Sequence, residues 1–155
     1  MSTIMKKFLF IFAILFTAQA VSAQLLNPVK WSYTATKVSD KLYEIHLTAS
    51  LDKKWHIYAQ DAGEGPEPTS FKFNPNPLVK LDGKVKEVGK LEKQFDPNFN
   101  STLKFYGDKV DFVQRVKLKS SASTLVKGTI SYMVCDDKKC LPPKEVPFSV
   151  KVPGK

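Results

Sequence analysis

The sequence predicts an all-β fold, an antiparallel sandwich, and three observations carry that prediction. Apolar residues recur with a period of two. Turn signals interrupt the chain about every ten residues. After the N-terminal segment, no stretch keeps a helical period with start and stop signals.

The N-terminal segment stands apart. Lys6 and Lys7 precede an uncharged apolar run from Phe8 to Phe16, which fades into Val21-Ser22-Ala23. A charged start, a short apolar core and a small-residue end describe a secretory signal peptide cleaved after Ala23. The run is shorter than the roughly 20 apolar residues of a membrane span. Residues 24–155 are then the expected mature domain, 132 residues long. An exported monomer, periplasmic and not inserted in the membrane, is the expectation.

Strands follow in order. Val29 to Val38 reads as the first. Tyr43, Ile45, Leu47, Ala49 and Leu51 alternate strictly with Glu44, His46, Thr48 and Ser50, a half-buried strand. On this pattern His46 falls on the polar face and is expected to be solvated. Trp55 to Gln60 comes next. The alternation sets Trp55 opposite His56 and Tyr58. Thr69 to Phe73, Val79 to Val88 and Lys109 to Leu118 are further strands. Ile130, Tyr132 and Val134 form one face of another, and Val146, Phe148, Val150 and Val152 one face of the last. Turn residues divide them: Ser39-Asp40-Lys41, residues 51–54, the Gly63–Pro68 run, Asn74-Pro75-Asn76-Pro77, residues 96–100 and Tyr106-Gly107-Asp108. The architecture expected is immunoglobulin-like. Two stretches read as long loops, 61–70 and 95–108. The second holds Phe95, Phe99, Phe105 and Tyr106. Loops of that length in a compact sandwich are more often functional than idle.

Charge excludes one function class. Removing Lys6 and Lys7 leaves 22 basic against 15 acidic residues, a net charge of +7. The excess is scattered as single lysines with one Arg, Arg115. Nucleic-acid sites gather such charge on one face, so no nucleic-acid partner is expected. Scattered lysines protect sheet edges instead.

The two cysteines, Cys135 and Cys140, flank Asp136-Asp137-Lys138-Lys139 at the mouth of a hairpin. Four intervening residues let the chain return to the roughly 5.5 Å Cα separation of a disulfide. Three roles compete. As a staple the pair is poor: closing so short a loop contributes roughly 2 kcal/mol, against about 4.7 for a loop of 100 residues. As metal ligands it is weak, because structural zinc sites take a second ligand pair, and His46 and His56 lie on separate strands. As a redox pair it fits its surroundings. Lys138 and Lys139 favour a thiolate at Cys140, while Asp136 and Asp137 oppose one at Cys135. Cys140 is the expected nucleophile. Leu141, Pro142 and Pro143 keep the chain rigid beyond it.

The stretch from Tyr132 to Val150, with Cys-x4-Cys-x-Pro-Pro, resembles the active-site hairpin of the N-terminal periplasmic domain of DsbD, the bacterial thiol:disulfide interchange protein. Residues 104–112, with Phe105-Tyr106-Gly107, resemble that family's cap loop. Residues 51–60 resemble its strand beside the site. The resemblance implies an immunoglobulin-like sandwich carrying an active-site hairpin and a cap loop. It implies relay of reducing equivalents to exported thioredoxin-like proteins, in pathways that include cytochrome c biogenesis. Cys140 would form the mixed disulfide with a partner and Cys135 would resolve it. Phe105 would shield the pair, with Tyr106 and Gly107 beside it. His56, Tyr58, Lys139 and Pro142 are expected to line the site. No organic cofactor or metal is called for, since the Cys135–Cys140 disulfide is the redox group.

The sequence departs from the family at Leu103 and Lys104, where well-known members carry acids before the cap Phe, and its cysteine spacing is shorter. The transporter's membrane domain and C-terminal thioredoxin domain have no counterpart, so a stand-alone protein would draw electrons from a separate membrane donor. Two rival readings follow from the residues alone. One is a non-catalytic binding module whose disulfide only shapes a hairpin. The other is an adhesin-like or chaperone-like sandwich offering an edge strand.

Overall fold

The computed structural model describes residues 26–97 and 99–154; the expected signal peptide lies outside the described residues. Among these residues there are nine strands and no helix. They are β1 (Val29–Ser39), β2 (Leu42–Leu51), β3 (His56–Tyr58), β4 (Ser70–Phe73), β5 (Val79–Asp96), β6 (Ser101–Leu118), β7 (Thr124–Tyr132), β8 (Val134–Cys135) and β9 (Lys144–Val152). One sheet has the order β1-β2-β6-β3-β8, with β5 on the other edge of β6. The second sheet is β4-β7-β9. Every pairing is antiparallel.

The alternation read from the sequence places the core. Tyr43, Ile45, Leu47 and Ala49 of β2 are buried, and so are Val110, Phe112 and Val116 of β6. They meet Val126, Ile130 and Tyr132 of β7 and Phe148, Val150 and Val152 of β9 across the sandwich. Aromatic rings knit the layers: Phe71 lies 4.9 Å from Phe112, Trp31 5.4 Å from Tyr132 and Phe73 5.4 Å from Phe148. The long charged edge strand β5 carries Lys80, Lys84, Lys86, Lys90 and Lys93, which discourage pairing with another chain.

Three expectations are corrected. Residues 95–108 are not a loop. β5 and β6 are 18 residues each and form one long hairpin, turning between Asp96 and Ser101. Leu103 and Phe105 keep the period of two on one face, but the surrounding Asp, Pro, Asn and Gly hide it. The Tyr106-Gly107-Asp108 signal is a bulge rather than a turn. The β5–β6 register jumps from Gly89↔Val110 to Leu91↔Tyr106, and Asp108 has φ 50°. Such a bulge bends a strand and re-aims its side chains. Here it separates the part of β6 paired with β2 from the part paired with β3. His46 is not simply solvated either. Its Nδ1 lies 2.7 Å from Asp111 Oδ2, and Thr48 donates to Asp111 Oδ1 at 2.9 Å. A residue on the polar face of a central strand has cross-strand neighbours to pair with.

Candidate redox site

The chain changes sheets at Met133: β7 belongs to the second sheet and β8 to the first. The crossover delivers Cys135 to the edge of β3, opposite His56. The chain then turns tightly. Asp136 N–H donates to the Lys139 carbonyl at 2.9 Å. The Asp136 carboxylate accepts from the backbone N–H of Lys138 and of Lys139, each at 2.8 Å. Those two bonds hold its carboxyl below the usual carboxylate range. The turn brings Cys140 back against Cys135, and Leu141 N–H closes on the Val134 carbonyl at 2.9 Å. The cysteines are joined by a disulfide with Cα atoms 4.0 Å apart.

The two sulfurs have unequal surroundings. Cys135 is 2 % exposed, packed with Tyr58, Ala62 and Leu103 in a small core of its own. Tyr58 donates its hydroxyl to Cys135 Sγ at 3.2 Å. Burial, and then Asp96, raise the Tyr58 phenol, so it stays a donor. Cys140 is exposed, following the exposed Lys138 and Lys139.

A cleft of about 550 Å³ opens beside the pair. His56 and Tyr58 of β3 line one wall, Leu103 and Phe105 of β6 another, and Asp136 to Cys140 the floor. Phe105 is half-buried with its ring 4.4 Å from that of His56, which meets Tyr58 edge-on at 5.3 Å. Burial lowers the His56 imidazole, partly opposed by Asp137, Glu92 and Asp136.

The other sequence-predicted residues separate by strand parity. Phe105 and Gly107 share the site face. Tyr106 turns the other way, 3 % exposed in the main core, and its hydroxyl donates to Glu87 at 2.9 Å. Trp55 also packs on the main core, away from His56 and Tyr58. Lys139 lines the cleft. Pro142 lies elsewhere, in a small recess with Leu26, Tyr132 and Val134.

The sequence reading missed the arm. Gln94, Asp96 and Phe99, from the far end of the β5–β6 hairpin, also line the cleft. Alternation continuing through Glu92, Gln94 and Asp96 was the available signal. The loop after β3 fastens this arm. Lys104 N–H donates to the Ala62 carbonyl, and Ala59 N–H to the Lys104 carbonyl, both at 3.0 Å. Glu64 N–H donates to Ser101 Oγ at 3.0 Å, and Lys104 Nζ pairs with Asp61. Phe99 lies against Gly65, where φ is 121° and a Cβ would fall 2.2 Å from the ring.

Comparison with known proteins bears on the fold and the family. The crystal structure of the Neisseria meningitidis DsbD N-terminal domain in its reduced form is 17 % identical, with a TM-score of 0.55 over 84 % of this chain and 92 % of that one. The N-terminal periplasmic domain of ScsB from Proteus mirabilis is 14 % identical, with a TM-score of 0.52 over 81 % of this chain and 47 % of that one. The complex between the DsbD N-terminal and PilB N-terminal domains of Neisseria meningitidis matches at 16 % identity and a TM-score of 0.52, over 81 % of this chain and 87 % of that one. No curated protein matches significantly. At such identities the structures establish the fold, an all-β immunoglobulin-like sandwich. The family described as "Thiol:disulfide interchange protein DsbD, N-terminal" matches residues 22–151, most of the sequence, and the chain belongs to that family.

Proposed function

We propose that this protein is an exported thiol–disulfide oxidoreductase that relays reducing equivalents to thioredoxin-like partners through Cys135 and Cys140. The observation that carries the reading is the asymmetry of the pair: one exposed cysteine beside lysines and one buried cysteine, both lining an open cleft. In the reduced protein the Cys140 thiolate attacks a partner's disulfide and forms a mixed disulfide. Cys135 then attacks Cys140, the partner leaves as a dithiol, and the Cys135–Cys140 disulfide remains. Access and thiolate fraction set such rates. Phe105, packed over His56, limits access by small thiols.

A solved complex of a DsbD N-terminal domain with another protein domain supports a protein as the partner. Periplasmic location, action as a monomer and re-reduction by a separate membrane protein complete the proposal. The test is covalent trapping. The Cys135→Ala variant, reduced and mixed with exported thioredoxin-like proteins, gives a disulfide-linked complex on a non-reducing gel, and the Cys140→Ala variant gives none. Trapping by neither variant overturns the relay. Trapping by Cys140→Ala alone reverses the two roles. A reduction potential above about −300 mV separates an exchange-active pair from a structural disulfide.

A further inference from the structure

Cys135 faces a difficulty that Cys140 does not. With a partner joined to Cys140, Cys135 must lose its proton before it attacks. It is 2 % exposed, and burial keeps a thiol protonated beyond its ordinary pKa of about 8.5. The carboxylates of Asp136 and Asp137, next in the chain, push the same way. A base has to be supplied. Leu103 is apolar and buried, and Lys104 is paired with Asp61. The Asp136 carboxylate is committed to two backbone N–H groups. Tyr58 already donates to Cys135 Sγ, and Asp96 and Asp137, which line the same cleft, offer carboxylates, a much weaker kind of base toward a thiol than an imidazole.

The strand order supplies the missing group. Across β6, β3 and β8, Gly107 pairs with His56 and His56 pairs with Cys135. Directly opposed residues of an antiparallel pair have Cβ atoms about 5 Å apart, on one face. His56 and Cys135 line the same cleft. Gly107 has no side chain, and Glu92 of β5 fills the gap: its Oε1 lies 3.4 Å from where a Gly107 Cβ would be. Gly107, His56 and Cys135 therefore form one row across β6, β3 and β8, and Glu92, paired with Phe105 in the neighbouring row, reaches its carboxylate diagonally into the space beside Gly107.

We infer that His56 is the base that takes the proton of Cys135 in the resolving step, with Glu92 behind it orienting the ring across Gly107. This rests on the relay reading. Neutral His56 accepts the S–H proton. Cys135 Sγ keeps the electron pair and attacks Cys140 Sγ. The Cys135–Cys140 bond forms as the bond from Cys140 to the partner's sulfur breaks, and the partner leaves as a thiolate with that pair. Over both exchange steps the cysteine pair loses two electrons and the partner's disulfide gains them; His56 passes its proton to solvent. In the reverse direction the imidazolium returns a proton to the departing Cys135 thiolate. The groups facing His56 are Tyr58 on β3, Glu92 on β5, and Asp136 and Asp137 on the turn, with Asp96, Lys138 and Lys139 lining the same cleft; among the described residues β6 presents Phe105 and Gly107. Burial outweighs the acids, so the ring is neutral and ready to accept at neutral pH.

Ring closure after a small reagent tests this without a protein partner. Reduced protein receives one equivalent of a chromogenic aromatic disulfide, which caps Cys140. Release of the second aromatic thiolate is followed by stopped-flow absorbance, from roughly pH 5 to 9. The wild-type rate rises as His56 loses its proton, below its ordinary pKa of about 6.5, and levels off near neutrality. The His56→Gln variant loses that plateau, slows by about 10- to 100-fold at neutral pH, and climbs until the thiol ionises by itself. The Glu92→Gln variant shifts the wild-type inflection to lower pH. A His56→Gln variant that closes at the wild-type rate overturns the assignment. So does a wild-type profile that climbs steadily to alkaline thiol ionisation, which decides the matter even if the variant does not fold. Failed trapping with thioredoxin-like proteins, alongside a His56-dependent closure, removes the relay reading and leaves this assignment standing.

Discussion

At the scale of single residues, the site is an arrangement of unequal neighbours around two sulfurs. The Tyr58 hydroxyl is the only donor placed on Cys135 Sγ among the described residues. A hydrogen bond to a charged group contributes about 1.5–3 kcal/mol, and it favours the thiolate over the thiol. Tyr58→Phe is therefore expected to raise the Cys135 thiol pKa by about 1 to 2 units, read from thiolate absorbance during pH titration of the reduced protein. His56 adds a signature in stability. Burial holds its folded pKa below the unfolded value of about 6.5, so the unfolded chain binds that proton more readily. Its contribution is complete above about pH 6.5 and is lost as pH falls through the folded pKa. The Tm of the wild type should fall over that window, and His56→Gln should flatten the slope. Asp136, whose carboxyl is also lowered, acts at more acid pH and leaves this window to His56.

At the scale of elements, the segment expected as a cap loop is not a free loop. Phe105 belongs to a strand paired on both sides, with β3 and with β5. The loop from Asp61 to Gly65 then ties the end of the arm down. Widening the cleft around Cys135 thus depends on rotating Phe105 or loosening the whole arm. Gly65→Ala tests the second route. The position has φ 121° and no room for a Cβ beside Phe99. Backbone strain of that kind costs about 1–3 kcal/mol. The variant should show faster amide exchange along residues 101–105 and faster reduction by a small dithiol, while the exchange of β2 and β7 stays unchanged. The sequence made the hairpin and both cysteines legible, because spacing and turn chemistry are local. It hid the arm. Asp96, Pro97, Asn98 and Gly107 are turn formers by type, and a bulge uses the same residues as a turn. It also separated Phe105 from Tyr106 only once the register of β6 against β3 was known. Pro142 followed the cysteine closely in sequence yet lines a different recess, since the chain leaves the site as soon as Leu141 rejoins Val134.

At the scale of the whole molecule, stability and chemistry occupy different places. The main core lies between the two sheets and is built mostly from β2, β6, β7 and β9 side chains. Cys135 belongs instead to a small second cluster under the arm. The disulfide closes a loop of only four residues between Cys135 and Cys140. A loop that short contributes about 2 kcal/mol. A protein that cycles between dithiol and disulfide needs this separation, because each turnover would otherwise unfold it. The double variant Cys135→Ala/Cys140→Ala should stay folded, with Tm lowered by no more than about 10 °C in thermal denaturation. Phe112→Ala leaves both cysteines in place but empties a fully buried position against Trp31 and Phe71. Such a truncation costs about 3–5 kcal/mol, so its Tm should fall by roughly twice as much. A double cysteine variant that unfolds at room temperature would instead make the disulfide a structural staple, and the asymmetric exposure of its sulfurs would then need another explanation.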